Sequence, residues 1–343
     1  MKGLLIIIIA ISIYLFSCGT DNSTTIGEDV LVKDSTESEQ IVEFRAINNL
    51  LKKDINNASL YLKRAKLFMK YNDLSSAVND LDRAIKIDSL IPEFYLLKAE
   101  LLKNQVKLKE SKAVLDQCML IDNGNIQARI ELGWLALVAK NYKQALDYAD
   151  AALKRDVHNA EAYYLKGMIF EDKQDTSLAI SSFNTAIEQE NDYYEAYIKL
   201  GLLHYYQSNK LAKEYLKNAL RIKPNSLEAL YAYAMYCQEN EEYNEAIETY
   251  HKILKINQYR EPYFNLGYIH QEYLKVYEVA IENYTKAIAI EPRYLEAYYN
   301  RGLCYEELKD YEKAEKDLRH ALKLNPQYTH AALALERVLK VKK

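Results

Sequence analysis

The chain is 343 residues long, 49% apolar and 27% charged, which excludes an extended disordered chain and a polytopic membrane protein. Its formal charge of -4, from 45 Lys and Arg against 49 Asp and Glu, excludes the basic footprint of a nucleic-acid binder. Nine Gly and five Pro leave little turn material for an all-β fold, so an all-α chain is expected.

Met1-Lys2-Gly3 opens onto a largely apolar run from Leu4 to Phe16. This is shorter than the roughly 20 residues of a spanning helix and reads as a secretory signal. The run ends Leu15-Phe16-Ser17-Cys18-Gly19, which resembles the lipobox of bacterial lipoproteins at Leu15, Ser17 and Cys18; Phe16 is bulkier than that family's usual residue. The resemblance implies that residues 1–17 are a lipoprotein signal peptide and that Cys18 is the lipidation site. With Gly19 rather than Asp after the Cys, it also implies a lipid anchor in the outer membrane of a bacterial cell envelope. Several acyl chains on one residue anchor stably where one chain binds only marginally. Residues 18–40 are then the acylated Cys and a Ser/Thr-rich tether, with six carboxylates against Lys33, too polar to bury a core and expected to be disordered. Residues 41–57 are predicted to form an N-terminal capping helix, with Ile41, Phe44, Ile47 and Leu51 facing inward.

A period of 34 residues governs the rest of the chain. Ala77, Ala145, Ala179, Ala212, Ala246, Ala280 and Ala314, with Ser111 filling the gap, recur at that spacing, shortened once to 33. A second series stands seven residues after each: Ala84, Cys118, Ala152, Ala186, Ala219, Ile253, Ala287 and Ala321. A third precedes the first: Ala65, Ala99, Gly133, Gly167, Gly201, Ala234, Gly267 and Gly302. Glycine inside a helix costs about 1 kcal/mol relative to Ala, so its recurrence needs a packing reason, and close approach of paired helices supplies one. All five prolines (Pro92, Pro224, Pro262, Pro292, Pro326) fall at repeat junctions, where a helix must end or begin.

This pattern resembles the tetratricopeptide repeat (TPR). With Tyr298 as repeat position 4, the last repeat supplies Gly302, Tyr305, Ala314, Leu318, Ala321 and Pro326 where the family has small, aromatic, Ala, apolar, Ala and Pro residues. Position 7, usually Leu, is Arg64, Lys98, Lys166 and Arg301 in four repeats. The resemblance covers residues 58–328. It implies a right-handed α-solenoid of about eight helix-turn-helix repeats, closed by a C-terminal capping helix over 329–343. Thr329 is the expected N-cap of that helix, and Ala332, Leu335 and Leu339 its buried face. Cys118, Cys237 and Cys304 fall in different repeats and read as buried thiols.

The family's groove positions are 2, 5, 9, 12 and 13 of each first helix. Position 2 supplies Glu161, Glu195, Glu228, Glu261 and Glu296. Positions 5, 9, 12 and 13 supply Trp134, Tyr164, Met168, Tyr205, Tyr206, Tyr231, Met235, Phe264, Tyr268 and Tyr299. No Lys or Arg stands at these positions from the third repeat onward, although the chain after the tether is formally neutral. An exposed apolar stripe marks a binding surface, so a neutral or basic protein or peptide partner is expected there. Carboxylate-clamp TPRs need Lys and Asn at positions 5 and 9, which this chain lacks. A glycan-binding outer-membrane lipoprotein is the alternative, since aromatic faces beside carboxylates also suit sugar rings. No HExxH, GxSxG, Gly-rich phosphate loop or Cys-x-x-Cys occurs, and the six His are scattered, so neither catalysis nor a metal or small-molecule cofactor is expected. The reading is a non-catalytic, lipid-anchored scaffold for envelope assembly or secretion.

Overall fold

The computed structural model describes residues 29–342, with side chains from residue 39 onward. Among the described residues there are eighteen α-helices, one π-helical turn and no strand. The expected signal peptide, Cys18 and the first part of the expected tether lie outside the described residues.

The described residues divide into two compact units, the first ending at Val114 and the second beginning at Leu115. In the first unit, α1 (Asp29–Lys53) precedes α2 (Ala58–Lys70), α3 (Leu74–Ile87) and α4 (Pro92–Asn104), and α5 (Leu108–Ile121) begins. The second unit starts within α5. It continues with α6 (Ile126–Val138), α7 (Tyr142–Leu153), α8 (Ala160–Asp172), α9 (Thr176–Gln189), α10 (Tyr194–Tyr206) and α11 (Leu211–Ile222). Then follow α12 (Leu227–Glu239), α13 (Tyr243–Ile256), α14 (Arg260–Tyr268) with the π turn Ile269–Leu274, and α15 (Tyr277–Ile290). The last three are α16 (Leu295–Glu307), α17 (Tyr311–Leu324) and α18 (Thr329–Val341). Helices α2 and α3, α6 and α7, α8 and α9, α10 and α11, α12 and α13, α14 and α15, and α16 and α17 pack as hairpins, and α4 leads into α5 through a turn of the same kind.

The helix starts follow from local chemistry. Asn57, Asp73, Asn125, Asn141, Asn159, Asp175, Ser226 and Asp310 each accept a hydrogen bond from a backbone N–H of the first turn, and Pro92 occupies the opening turn of α4. Every hairpin turn is closed by one left-handed residue: Asn72, Val106, Lys140, Gln174, Ser208, Glu241, Lys275 and Lys309. None is glycine, which is why the sequence carries no turn signal there.

The three small-residue ladders are the seams of the hairpins. The seven Ala of the first ladder are fully buried. Ser111 satisfies its hydroxyl by donating to the Ala99 carbonyl at 2.8 Å across the same hairpin. A Cβ on Gly167 would stand 2.4 Å from the Phe183 ring, so glycine is what lets that ring lie flat on α8. The charged residues at position 7 also have a structural cause. Arg64 grips the buried Asp80 with two hydrogen bonds of 2.6 and 2.7 Å, and Arg301 grips the buried Asp317 at 2.7 and 2.9 Å. Lys98 and Lys166 instead reach back to Asp82 on α3 and Asp150 on α7, each on the helix before their own, at 2.5 and 2.9 Å.

Both ends differ from the sequence reading. Helix α1 begins at Asp29, inside the segment expected to be a disordered tether, and not at Ile41. No Gly or Pro interrupts residues 29–53, so a helix held by packing near Leu51 extends N-terminally at one backbone bond per residue. Leu51 is buried and Phe44 and Ile47 are half-buried, but Ile41 is exposed. In α18 the buried face is Ala331, Ala334, Leu335 and Val338; Ala332 is exposed, and Thr329 lies inside the helix behind the cap residue Tyr328. Leu335 is common to both faces and Leu339 packs half-buried beside it, so the observed face is shifted toward Ala331, Ala334 and Val338.

Candidate partner-binding face

All fifteen expected groove residues lie in the second unit, on the first helices of its hairpins. Trp134 is on α6; Glu161, Tyr164 and Met168 are on α8; Glu195, Tyr205 and Tyr206 are on α10. Glu228, Tyr231 and Met235 are on α12, Glu261, Phe264 and Tyr268 on α14, and Glu296 and Tyr299 on α16. Successive first helices touch directly at α6 with α8 and at α10 with α12, so their residues form neighbouring rows.

The rows are less open than the sequence reading expected. Phe264 is buried, as are Ile130 and Ile198 at the same repeat position. Tyr164, Tyr231 and Tyr299 are half-buried there, and Trp134, Met168, Tyr205, Met235 and Tyr268 are half-buried at the neighbouring positions. Tyr206 alone of the fifteen is a strongly exposed ring, at 69%. The surface is a pavement of ring edges and thioethers.

Residues that the sequence reading passed over explain this packing. Tyr193, Tyr294 and Tyr328, in the junctions between hairpins, lie on the position-5 rings of the preceding first helices. Tyr193 meets Tyr164 at 5.2 Å, Tyr294 meets Phe264 at 5.1 Å, and Tyr328 meets Tyr299 at 5.2 Å between ring centres. Their signal was available: Tyr193 and Tyr294 each stand two residues before a position-2 Glu, and Tyr328 holds the same register. Trp134 adds a further contact to Tyr164 at 5.9 Å.

The hydroxyls are tied down. Tyr205 donates to Glu239 at 2.6 Å, and Asn265 donates to the Tyr231 oxygen at 3.3 Å and to the Tyr250 oxygen at 3.0 Å. Burial pushes the Tyr164, Tyr205, Tyr231 and Tyr294 phenols up from their ordinary value, and Tyr268 up to about 12. All of these rings are neutral donors across the biological pH range.

Cations also reach this face from outside the groove positions. Lys223 pairs with Glu195 at 3.0 Å, Arg260 with Glu261 at 2.8 Å and also with Glu291, and Lys199 with Glu171 at 2.9 Å. Arg337 pairs with Glu306 at 2.8 Å. The acidic edge is therefore partly neutralised by side chains from outside the groove positions, whose reach sequence positions alone did not reveal. Glu228 and Glu296 have no ion-pair partner among the described residues.

One group has the composition of a metal site: the ligand atoms of Cys237, Glu242 and Glu245 lie within 4.8 Å of one another. The Lys213 ammonium already supplies positive charge there, at 2.5 Å from Glu242 and 3.1 Å from Glu245. Tyr233 donates to Glu245, and burial pushes the Cys237 thiol up to about 12. Cys304 is raised to about 12 in the same way, and Cys118 is a third buried thiol.

Tetratricopeptide repeat profiles match residues 130–195 and 295–328, and a TPR profile matches 275–309. These segments are tetratricopeptide repeats. Beyond the matched segments, antiparallel helix pairs of the same spacing recur among the described residues, as in α2 with α3 and α10 with α11. Among known sequences, the chain is similar to a DnaJ protein P58IPK homolog of Arabidopsis thaliana, 23% identical over 252 residues. That match takes in 69% of this chain and 48% of the relative. It is also similar to a TPR repeat-containing protein of Methanocaldococcus jannaschii, 26% identical over 59% of this chain and 31% of that one. The chain thus spans half or less of the length of these curated relatives. Among solved structures, the Cut9–Hcn1 hetero-tetramer of the APC/C aligns with a TM-score of 0.48 at 18% identity, over 86% of this chain and 58% of that one. YrrB, a TPR protein with an unusual peptide-binding site, aligns with a TM-score of 0.39 at 24% identity, over 55% and 97%. No helix among the described residues is long and apolar enough to cross a membrane.

Proposed function

We propose that this TPR protein is a non-catalytic scaffold that holds a protein or peptide partner on the first helices of its second unit. The observation that carries the reading is the recurrence, hairpin after hairpin, of half-exposed rings and thioethers: Trp134, Tyr164, Met168, Tyr231, Met235, Tyr268 and Tyr299. Rings already fixed by neighbouring tyrosines lose little freedom when a guest covers their free edges, so each contact is efficient. Met168 and Met235 adapt to irregular guest surfaces. The uncompensated Glu228 and Glu296 favour a neutral or basic guest, and salt will weaken that part of the binding.

The anchoring half of the proposal rests on Leu15, Ser17 and Cys18 and on the apolar run before them. Acylation of Cys18 would place the TPR hairpins at the bacterial outer membrane, in a role in envelope assembly or secretion. Metabolic acyl labelling present in the native protein and absent from Cys18→Ala supports the anchor; unchanged labelling removes it. For the binding face, Tyr164, Tyr231 and Tyr268 are changed together to Ser, and partners are crosslinked in envelope extract. Loss of the partners captured by the native protein is the expected result, and an unchanged set excludes this face.

A further inference from the structure

One hairpin departs from the period. Gly267 and Gly302 are 35 residues apart where their counterparts are 33 or 34 apart, and the extra residue is absorbed as the π turn Ile269–Leu274. The turn throws Tyr273 outward, where it stacks on Tyr243 of the preceding hairpin at 4.4 Å with the ring planes only 22° apart. Tyr268 meets Tyr273 edge-on at 5.9 Å. Tyr273 is 44% exposed, and Leu274 and Val276 beside it are exposed as well. The cluster joins the expected groove residue Tyr268 to two rings, Tyr243 and Tyr273, outside the groove positions.

Two carboxylates act on the cluster. Beyond burial, Glu241 is among the causes that raise the Tyr243 phenol, and Glu272 among those that raise Tyr268. Elsewhere in the same unit this combination is already satisfied internally. The Arg260 guanidinium lies 4.7 Å from the Tyr294 ring centre while pairing with Glu261 and Glu291. At Tyr243, Tyr268 and Tyr273, by contrast, no Lys or Arg among the described residues stands over a ring. The cation Lys275 approaches only Glu272, at 3.9 Å and mostly in solvent, an exposed pair of small energetic weight.

We infer that Tyr243, Tyr268 and Tyr273, flanked by Glu241 and Glu272, receive an arginine side chain of a protein partner. A guanidinium lies flat on a tyrosine face and offers its edge N–H groups to a carboxylate, which a lysine ammonium does less well. The inference rests on the partner-binding function proposed above, and adds a specificity element beside that face.

The test uses the full chain and two fluorescein-labelled peptides, (Gly-Ser-Arg)4 and (Gly-Ser-Lys)4, with binding read by fluorescence anisotropy at low salt. The arginine peptide is expected to bind at least about 3-fold more tightly than the lysine peptide. Tyr273→Ala and Glu272→Gln should each weaken it by roughly 10-fold, while Tyr273→Phe keeps the ring and stays near the native affinity. Tyr273 is a surface ring, and circular dichroism establishes that each variant is folded. No binding by the native chain, equal affinity for the two peptides, or native affinity in Tyr273→Ala overturns the inference. A Tyr164→Ser, Tyr231→Ser double variant, which leaves Tyr268 in place, reports separately on the wider face. Loss of crosslinked partners there, with the arginine peptide indifferent to Tyr273, leaves the wider function standing and removes only this site.

Discussion

At the scale of single residues, Val106 carries the clearest strain. It is a β-branched, exposed residue at φ 61°, where its side chain crowds the following carbonyl. Val106→Gly should raise stability by about 1 kcal/mol in urea unfolding, because glycine adopts this conformation without that crowding. The Arg301–Asp317 pair lies at the opposite extreme. Both side chains are largely buried, at 15% and 6% exposure, and joined by two hydrogen bonds. Asp317→Ala leaves a guanidinium buried without its partner and should cost about 3–5 kcal/mol, whereas Asp150→Ala, which breaks the exposed pair with Lys166, should cost less than about 1 kcal/mol. His204 is buried, stacked on Tyr215 at 5.3 Å, and its Nδ1 has no hydrogen-bond partner. Burial lowers its pKa, so the unfolded chain takes up the proton first as the solution is acidified. Its contribution is therefore intact above the ordinary histidine value near 6.5 and is lost as pH falls through the lower folded value. His204→Phe should flatten the decline in melting temperature below pH 6.5; an identical decline would show that other groups cause it.

At the scale of helices, the fold was legible wherever a packing constraint forces residue identity. The Ala and Gly ladders predicted all eight hairpins because a larger side chain at those crossings meets a ring or another helix. Gly167→Ala tests this: the gain in helix propensity should be outweighed by displacement of Phe183, for a net loss of roughly 1–3 kcal/mol by thermal or urea unfolding. What was not legible was long-range reach. The junction tyrosines Tyr193, Tyr294 and Tyr328 carry the same residue type as the expected groove rings, and only three-dimensional packing separates a ring that binds from one that supports. Lys223 and Arg260 were invisible as groove residues because they come from helix ends, Lys223 reaching Glu195 from the end of the next hairpin and Arg260 pairing with the adjacent Glu261. The π turn was visible only as an odd spacing, whereas its result, the Tyr243–Tyr273 stack, depends on where the extra residue lodges.

At the scale of the whole molecule, the hairpins are held by neighbour contacts, and the chain divides into two compact units. Repeat arrays of this kind unfold in segments when the coupling between neighbours is weak compared with local destabilisation. The native protein should therefore show a urea transition broader than a cooperative 343-residue domain would give. In Asp317→Ala, amide exchange should accelerate in α16 to α18 first, while protection in α6 to α9 stays unchanged. Uniform acceleration along the chain would indicate one cooperative unit instead.

The three buried thiols give this behaviour a built-in readout. Cys118, Cys237 and Cys304 sit in three different hairpins, two of them with thiolate formation suppressed well beyond neutral pH. A thiol-reactive dye should ignore them in the intact fold and mark each one only when its own hairpin opens. Mass spectrometry of tryptic fragments would then time those openings separately, with no engineered label.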